Sequence, residues 1–517
     1  MQMITVTKQQ HWRYHDMNFK KIIVLLLIVA LMFSLAACGG QQSQKENKNQ
    51  EAEGEKILRY SYPTSPADFD PINLNELYAY HVVRLMYNGF TDRTPEGKLM
   101  PGLAENWETK DEGKTYHFNL KKGVKFHSGK ELTAKDVKAT FETILSPDKG
   151  GDGHSYLSNI VGAKEIQEGT GTELVGFKIL GDYDFEIEQV EPDVYLPMSF
   201  SVEPLSIVDI EAIEGKGDTW WETMSAGTGA FKLKSYERDQ KITFEAHPEY
   251  WRGRPDLDQV EIHIVPSQDT ALAMYESGQL DMVDVPAEQI DRIREDKELS
   301  QQLNEIPVAR LVYIGFNQDV YPAFKDAKVR EAINLVVDRE KMTKTIMNDT
   351  AYPLYGAIPV GFSCWDKNLP KISYDPERAR QLLAEAGYTE KNPLPPVTFY
   401  CYPDPMEGKV GTYIASQMKT ELGMEVDVKQ VERAKILTDL RAHKLPIFIS
   451  GNTADYGDAR TQLYWVFSTG GGMNFMNYSN SEFDGLLDKA TQIAEPKERD
   501  KIYLEAERLL LADWAFG

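Results

Sequence analysis

Cysteine is scarce and catalytic signatures are missing. Three cysteines in 517 residues exclude a scaffold built on disulfides, which needs several bridges to replace a core. Cys38 ends an apolar leader, so Cys364 and Cys401 remain as two separate thiols or one bridge, and the residues alone leave both open. Positive charge is also short. Lys and Arg number 57 against 80 Asp and Glu, a formal charge of −23, and no basic stripe exists to neutralise phosphates, which excludes nucleic-acid binding. The nine histidines include no His-Glu-x-x-His pair. Also absent are the Gly-x-Ser-x-Gly elbow, the phosphate loop Gly-x-x-x-x-Gly-Lys-Ser/Thr, and a Gly-x-Gly-x-x-Gly following a strand. Zinc peptidases, serine hydrolases, P-loop enzymes and dinucleotide enzymes are thereby set aside, and no cofactor or metal is expected.

Only one long apolar run is present. Residues 22–37 follow Lys20-Lys21 and end in Leu35-Ala36-Ala37-Cys38-Gly39-Gly40. The run is short for a hydrocarbon core of about 30 Å, which takes about 20 apolar residues, so it reads as an export signal. Leu35-Ala36-Ala37-Cys38 resembles a bacterial lipobox, which implies that Cys38 becomes the lipid-bearing first residue. Residues 1–38 are therefore expected to be a lipoprotein signal peptide. Residues 1–16 are polar and unlike a basic signal start, which makes Met17 the expected true start and the preceding segment a start-site artefact. Residues 39–56 begin with a stretch from Gly39 to Gly54 whose only apolar side chain is Ala52; such a stretch buries too little to order itself and reads as a tether. Two or three lipid chains anchor stably at about 0.8 kcal/mol per buried methylene. The folded part is expected on the outer face of the cytoplasmic membrane, or facing the periplasm where two membranes exist.

A chain this long implies two to four domains, and 42% hydrophobic with 26% charged residues is ordinary for a globular protein. Leu58 to Tyr62 alternates like a strand, and a helix-like run follows from Glu76 to Tyr87. Tyr116 to Leu120 and Val124 to Phe126, separated by Lys-Lys-Gly, predict a hairpin. Thr133 with Asp136 three residues later is a variant capping box that starts a helix over 134–145. Val329, Ile333, Val336 and Val337 recur at helical spacing, and Asp338 can cap a second helix. Asp375-Pro376, an Ala/Leu-rich run and Gly387 make a complete helix signal. Strand patterns return at 397–400 and 426–428 around a helix over 410–422, and this alternation predicts an α/β fold.

Several of these segments carry a specific likeness. Gly102-Leu103-Ala104-x-x-Trp107, Tyr116-x-Phe118-x-Leu120-x-x-Gly123-Val124-x-Phe126 and Gly129-x-x-Leu132-Thr133-Ala134-x-Asp136-Val137 occur in that order. Gly227-Thr228-Gly229-Ala230-Phe231, Tyr250-Trp251, Ser277-Gly278-Gln279-Leu280-Asp281, Val329-Arg330-Glu331-Ala332-Ile333 and Asp338-Arg339-Glu340 continue it. From about residue 57 onward the chain resembles the extracellular solute-binding proteins of the peptide-transport type, receptor lipoproteins of oligopeptide, dipeptide and nickel ATP-driven importers. The resemblance implies a periplasmic-binding-protein-like α/β fold with two main lobes, an extra inserted domain and a ligand cleft between the lobes. It places lobe I at 57–88 and 226–305, the inserted domain II at 89–225 and lobe III at 306–510. Residues 511–517 are then the start of a return to lobe I, cut short at Gly517. The implied partners are short peptides, an ABC-type permease and the membrane through the lipid anchor, with the protein a monomer.

The candidate site is the stretch from Ile447 to Asp458. An apolar β-branched and aromatic run stops at Ser450-Gly451, and two carboxylates, an aromatic and two glycines follow, as if a buried strand delivered an acidic loop. Asp and Gly are also ordinary turn formers. Asp455 and Asp458, three apart in a Gly-containing loop, form no pattern required for hydrolysis, and an enzyme is not expected. In oligopeptide-binding members an aspartate in Ala-Asp-Tyr pairs with the peptide α-amino group, which implies that role for Asp455 in Ala454-Asp455-Tyr456. Gly451, Asn452 and Thr453 resemble residues that present backbone groups to the ligand like an added strand. Asn452 stands where relatives carry tryptophan, so an aromatic pocket wall is expected to be missing. Ile449 stands where some relatives place an arginine for the peptide carboxylate, leaving Arg433, Arg441 or His443 as substitutes. Tyr456 and Asp458 complete the candidate ligand-binding set. A nickel chelate or an oligosaccharide remains the alternative solute on this fold, and an extracytoplasmic hydrolase is the alternative of another class. Replacing Cys38 with alanine should move the protein from membranes to the soluble fraction or medium; membrane retention with unchanged processing would contradict lipid attachment.

Overall fold

The computed structural model describes residues 2–7, 54–94, 97–403 and 405–517. The apolar leader, Cys38 and the tether up to residue 53 lie outside the described residues. No helix among the described residues is long and apolar enough to cross a membrane.

The chain forms a mixed α/β structure with separate sheets. Ile57–Tyr62 pairs in parallel with Gln259–Ile264, and Lys241–Ala246 and Phe231–Glu237 extend the sheet antiparallel. A parallel pair needs a crossover, and here everything between residues 63 and 230 leaves the sheet before the chain returns to it. The Leu77–Met86 helix, capped by the Glu76 side chain, lies against the segment just before Phe231. That approach explains the Gly-Thr-Gly motif: a Cβ on Gly227 would stand 2.2 Å from the Met86 carbonyl oxygen, and one on Gly229 would stand 2.3 Å from the Met86 carbonyl carbon. The Gly229 N–H uses the closeness to donate to that carbonyl at 2.8 Å.

A second sheet is antiparallel, in the order Ala104–Lys110, Thr115–Leu120, Asp184–Glu188, Phe177–Gly181. The middle strand Thr115–Leu120 buries every second residue, and Phe118 meets Phe90, Phe185 and Phe200 in the core. The expected hairpin from 116–120 to 124–126 does not form. Val124 and Phe126 are buried, but their backbones bond to Leu132 and Lys130 across a turn at Gly129, whose φ of +91° suits glycine. The Thr133–Asp136 capping box is present and starts the Ala134–Ile144 helix.

The third sheet has the order Arg310–Phe316, Ile447–Thr453, Val397–Cys401, Val426–Gln430. Asp338 and Asp375 cap the Arg339–Thr345 and Pro376–Glu385 helices. The helix between the last two strands starts earlier than its apolar pattern, at Pro405–Leu422, because proline fits a first helical turn. Cys364 and Cys401 are two buried free thiols, and burial pushes both above the usual thiol range, Cys401 to about 11.

Both ends of the chain pair with strands far away in sequence. Gln2–Thr7 is a strand between Met282–Asp284 and Leu303–Pro307, antiparallel to each; its run Ile4-Thr5-Val6-Thr7 has strong strand propensity. Residues 513–517 stay with the third sheet instead of heading for the first. The Ile314 N–H donates to Gly517 O at 2.8 Å and the Gly517 N–H to Ile314 O at 2.9 Å. Buried Arg330 holds the turn by donating to the Asp513 and Trp514 carbonyls, and Asn334 donates to Phe516 O.

Gly229→Ala should lower unfolding stability by about 1–3 kcal/mol, the cost of overpacking a tight contact, read as a reduced midpoint in denaturant titration. An unchanged midpoint would show that the helix and the Gly-Thr-Gly segment are not held at this separation.

Candidate functional site at a free sheet edge

The Ile447–Thr453 strand does not end at Ser450-Gly451; its register with Arg310–Phe316 runs on to Thr453 opposite Arg310. The Ala454 N–H donates to Ala309 O and the Asn317 N–H to Pro446 O, both at 2.9 Å. Antiparallel pairing alternates, so residues 448, 450 and 452 aim their backbone groups at the Arg310–Phe316 strand. Residues 447, 449, 451 and 453 aim theirs to the other side. There Val397–Cys401 meets only Ile447 and Phe448, and no described strand covers Gly451 and Thr453. A stretch of sheet edge is thus open for one more strand.

Gly451 lies beneath Arg310: a Cβ would stand 2.9 Å from Leu311 O and 3.2 Å from Arg310 Nε. Arg310 is held by Glu407 at 2.9 Å. Asn452, by alternation, presents neither its backbone nor its side chain to the edge. Its amide donates to Thr461 O at 2.8 Å and Gln462 Oε1 at 3.1 Å, which fixes it against the Arg460–Phe467 helix.

Asp455 follows the edge. By area it is half-buried, yet protein surrounds it on nearly every side, and this enclosure pushes its carboxyl up to about 6. The Tyr156 hydroxyl hydrogen-bonds to it and the Arg93 guanidinium lies near, both lowering the value, while the Asp152 and Glu203 charges raise it. Arg93 also donates to the Asp455 backbone carbonyl. Nearby, the Tyr80 hydroxyl donates to Asp152 Oδ2 at 2.5 Å, and Glu203 Oε1 lies 2.6 Å from Arg84 Nη1 and 3.6 Å from Arg93 Nη2. Tyr80, Arg93, Asp152, Tyr156 and Glu203 were not among the sequence candidates. They come from segments far away in sequence, and no local spacing marks them; Tyr156 sits in the five-residue helix Gly153–Leu157.

Other candidates have structural partners. Asp458 is buried, its Oδ2 lies 3.1 Å from Arg499 Nη2 and 3.2 Å from Arg499 Nε, and its Oδ1 accepts the Arg460 N–H at 3.0 Å. Its lone pairs are committed to holding the loop. Tyr456 is buried and its ring lies 6.4 Å from that of Tyr195. Tyr195 reaches in from the chain before residue 226, between the guanidiniums of Arg460 and Arg499, 4.8 and 5.1 Å from its ring, with its hydroxyl on that of Tyr503. The Val194 N–H donates to Thr491 O at 3.0 Å. Asp455 therefore sits where residues 80–203 close on residues 454–503. Arg433 lies over the Tyr402 ring at 5.3 Å, and Tyr402 is near Ser450, Glu407 and Arg310. Arg441 is exposed at the far end of the same helix, and His443 faces the Phe475 carbonyl.

A family model described as bacterial extracellular solute-binding proteins, family 5 Middle, matches residues 98–474. The chain belongs to this family. This family 5 protein is 28% identical over 508 residues to the dipeptide-binding protein DppE of Bacillus subtilis (strain 168), covering 95% of this chain and 92% of that one. It is also 28% identical over 519 residues to the heme-binding protein A of Haemophilus influenzae, covering 94% and 91%. The crystal structure of Haemophilus influenzae OppA in complex with RPPGFSPFR matches with a TM-score of 0.74 at 26% identity, covering 90% of this chain and 92% of that one. The fold is of the periplasmic-binding-protein type, with two lobes and a cleft, and members of the family bind solutes.

Arg499→Met would leave Asp458 buried without its cation, which costs about 3–5 kcal/mol. Denaturant titration should read that loss, and an unchanged midpoint would show that the pair does not hold the Asp455 loop.

Proposed function

We propose that this family 5 protein captures short peptides for an ABC-type importer by closing its lobes around an extended backbone, with Asp455 on the peptide amino group. The observation that carries this is the sequence of groups along one edge: N–H and C=O of Gly451 and Thr453, then an enclosed carboxylate that has no salt bridge of its own among the described residues. A peptide added here pairs through groups that every peptide has, and its ammonium meets Asp455 if it runs antiparallel to Ile447–Thr453. Nickel chelates and oligosaccharides bring no ammonium to that position. The cluster on Tyr402 supports Arg433 as the receiver of a carboxylate farther along the same ligand. Peptide capture is binding without turnover.

The lobe boundaries proposed for this action are 57–88 with 226–305, 89–225 and 306–510. In keeping with the leader sequence, the protein is proposed to ride as a monomer on the outer face of the cytoplasmic membrane, or facing the periplasm where two membranes exist, through lipid at Cys38. DppE and OppA, whose names describe dipeptide- and oligopeptide-binding proteins, add weight to a peptide ligand.

Calorimetry of a di- to pentapeptide series tests the reading. A charge-assisted hydrogen bond contributes roughly 1.5–3 kcal/mol and an ammonium left without its partner costs more, so Asp455→Asn should weaken binding by about one to three orders of magnitude. N-acetylated peptides should bind poorly to the parent. Equal affinities of parent and variant, or full binding of acetylated peptides, would remove Asp455 from the site.

The pH dependence has a definite sign. Because the carboxyl of the ligand-free protein is raised to about 6, the free protein keeps the proton below that pH and an ammonium must displace it. Affinity should be flat above pH 7 and fall by about tenfold per unit below 6. The same shift makes the Asp455 penalty on the empty fold absent below the ordinary value of 3.8 and complete above about 6. Affinity that stays constant from pH 7 to 4.5 would contradict a carboxylate–ammonium contact.

A further inference from the structure

An arginine lies over the open edge at Gly451. Arg310 pairs with Thr453, and Val312 with Gly451 and Ile314 with Ile449 follow in register. Directly opposite residues of an antiparallel pair share a face and alternate residues keep it, so Arg310 stands on the same face as Ile449, Gly451 and Thr453. On this face Ile314 and Ile449 pack with Val410 and Ile414 of the Pro405–Leu422 helix. Because Gly451 brings no side chain, the Arg310 guanidinium comes down over it: a Cβ on Gly451 would stand 3.2 Å from Nε and 3.3 Å from Nη2. Nη2 then reaches Glu407 Oε1, in the first turn of that helix, at 2.9 Å.

The cation is only partly used. Glu407 takes Nη2, whereas Nε and Nη1 have no acceptor among the described residues, and the side chain is 26% exposed. Other arginines near the site are occupied more fully: Arg93 donates to the Asp455 and Ser201 carbonyls, and Arg499 to Asp458 and the Ile493 and Ala494 carbonyls. The local charge also has an excess of one sign. Tyr402 lies near Arg310, Glu407 and Arg433, and Arg433, over the Tyr402 ring, has no ion pair among the described residues. Two cations thus face one anion here, in a chain whose formal charge is −23.

A strand added antiparallel along this edge sets one residue opposite Gly451, with its side chain on the face of Arg310 and its Cβ about 4.5–5.5 Å from where a Gly451 Cβ would be. A carboxylate there meets open guanidinium N–H groups, and such charge-assisted bonds are about twice as strong as neutral ones. We propose that Arg310 receives an acidic side chain, aspartate or glutamate, from the peptide residue opposite Gly451, so that this receptor prefers peptides with an acid at that internal position. The inference rests on the peptide reading given above. The α-amino group is already assigned to Asp455 and the terminal carboxylate to Arg433, so the group read by Arg310 is a side chain.

Calorimetry with penta-alanine peptides, in which each internal position is changed in turn to glutamate or to its uncharged isostere glutamine, tests it on the parent, Arg310→Met and Glu407→Gln. At one position glutamate should bind about five- to tenfold more tightly than glutamine to the parent. That ratio should approach one in Arg310→Met and rise in Glu407→Gln, which removes the competing anion. Equal affinities at every position, a preference spread evenly over all positions, or one that Arg310→Met retains would overturn the assignment and leave peptide capture standing. Should Arg310→Met fail to fold, a ratio that Glu407→Gln leaves unchanged overturns it equally. If no peptide of the set binds the parent, the peptide reading itself fails and the role of Arg310 falls with it.

Discussion

An enclosed carboxylate is a costly thing for a fold to keep, and Asp455, with no salt bridge among the described residues, is kept at the end of an open sheet edge. Much around it serves to hold it there. Asp458 and Arg499 fix the loop from below, Asn452 ties the strand to the Arg460–Phe467 helix, and Arg93 grips the Asp455 carbonyl. Tyr156 donates the hydrogen bond that makes the position tolerable without ligand. A ligand ammonium would supply what the protein withholds. The edge is equally unfinished, since Gly451 and Thr453 keep backbone groups that a sheet would ordinarily pair.

This arrangement separates grip from selectivity. In the proposed mode, backbone pairing and one amino-terminal charge pair, shared by all peptides, would give affinity without sequence preference. Selectivity would then have to come from contacts with the ligand's side chains. Tyr195, inserted between Arg460 and Arg499, couples the residues that carry Asp455 to those that carry Asp152 and Tyr156. In the proposed mode, bringing the lobes together would assemble both sides of the Asp455 position at once, which favours the closed state only when a ligand bridges them.

Local signals read from the sequence were strongest where a few adjacent residues decide an element. The Thr133–Asp136 box and the caps at Asp338 and Asp375 are of this kind. Boundaries set by partners were weaker. Val124 to Phe126 looked like a hairpin arm, but the turn at Gly129 gave it another partner. Ser450-Gly451 looked like a strand end, but pairing with Arg310 to Val312 carries the strand on to Thr453. In the site, a family motif singled out Asp455, whereas Tyr156, Arg93 and Asp152 assemble only through the tertiary fold. Asp458 matched the acidic-loop pattern as well as Asp455 did, and only the position of Arg499 distinguishes a structural carboxylate from one left open.

Native mass spectrometry of protein released gently from cells tests peptide capture most directly, because it weighs what occupies the cleft. The expected spectrum is the protein carrying a distribution of short peptides with free amino termini, displaced by an added peptide. A single non-peptide mass in the cleft, undisplaced by peptides, would contradict it.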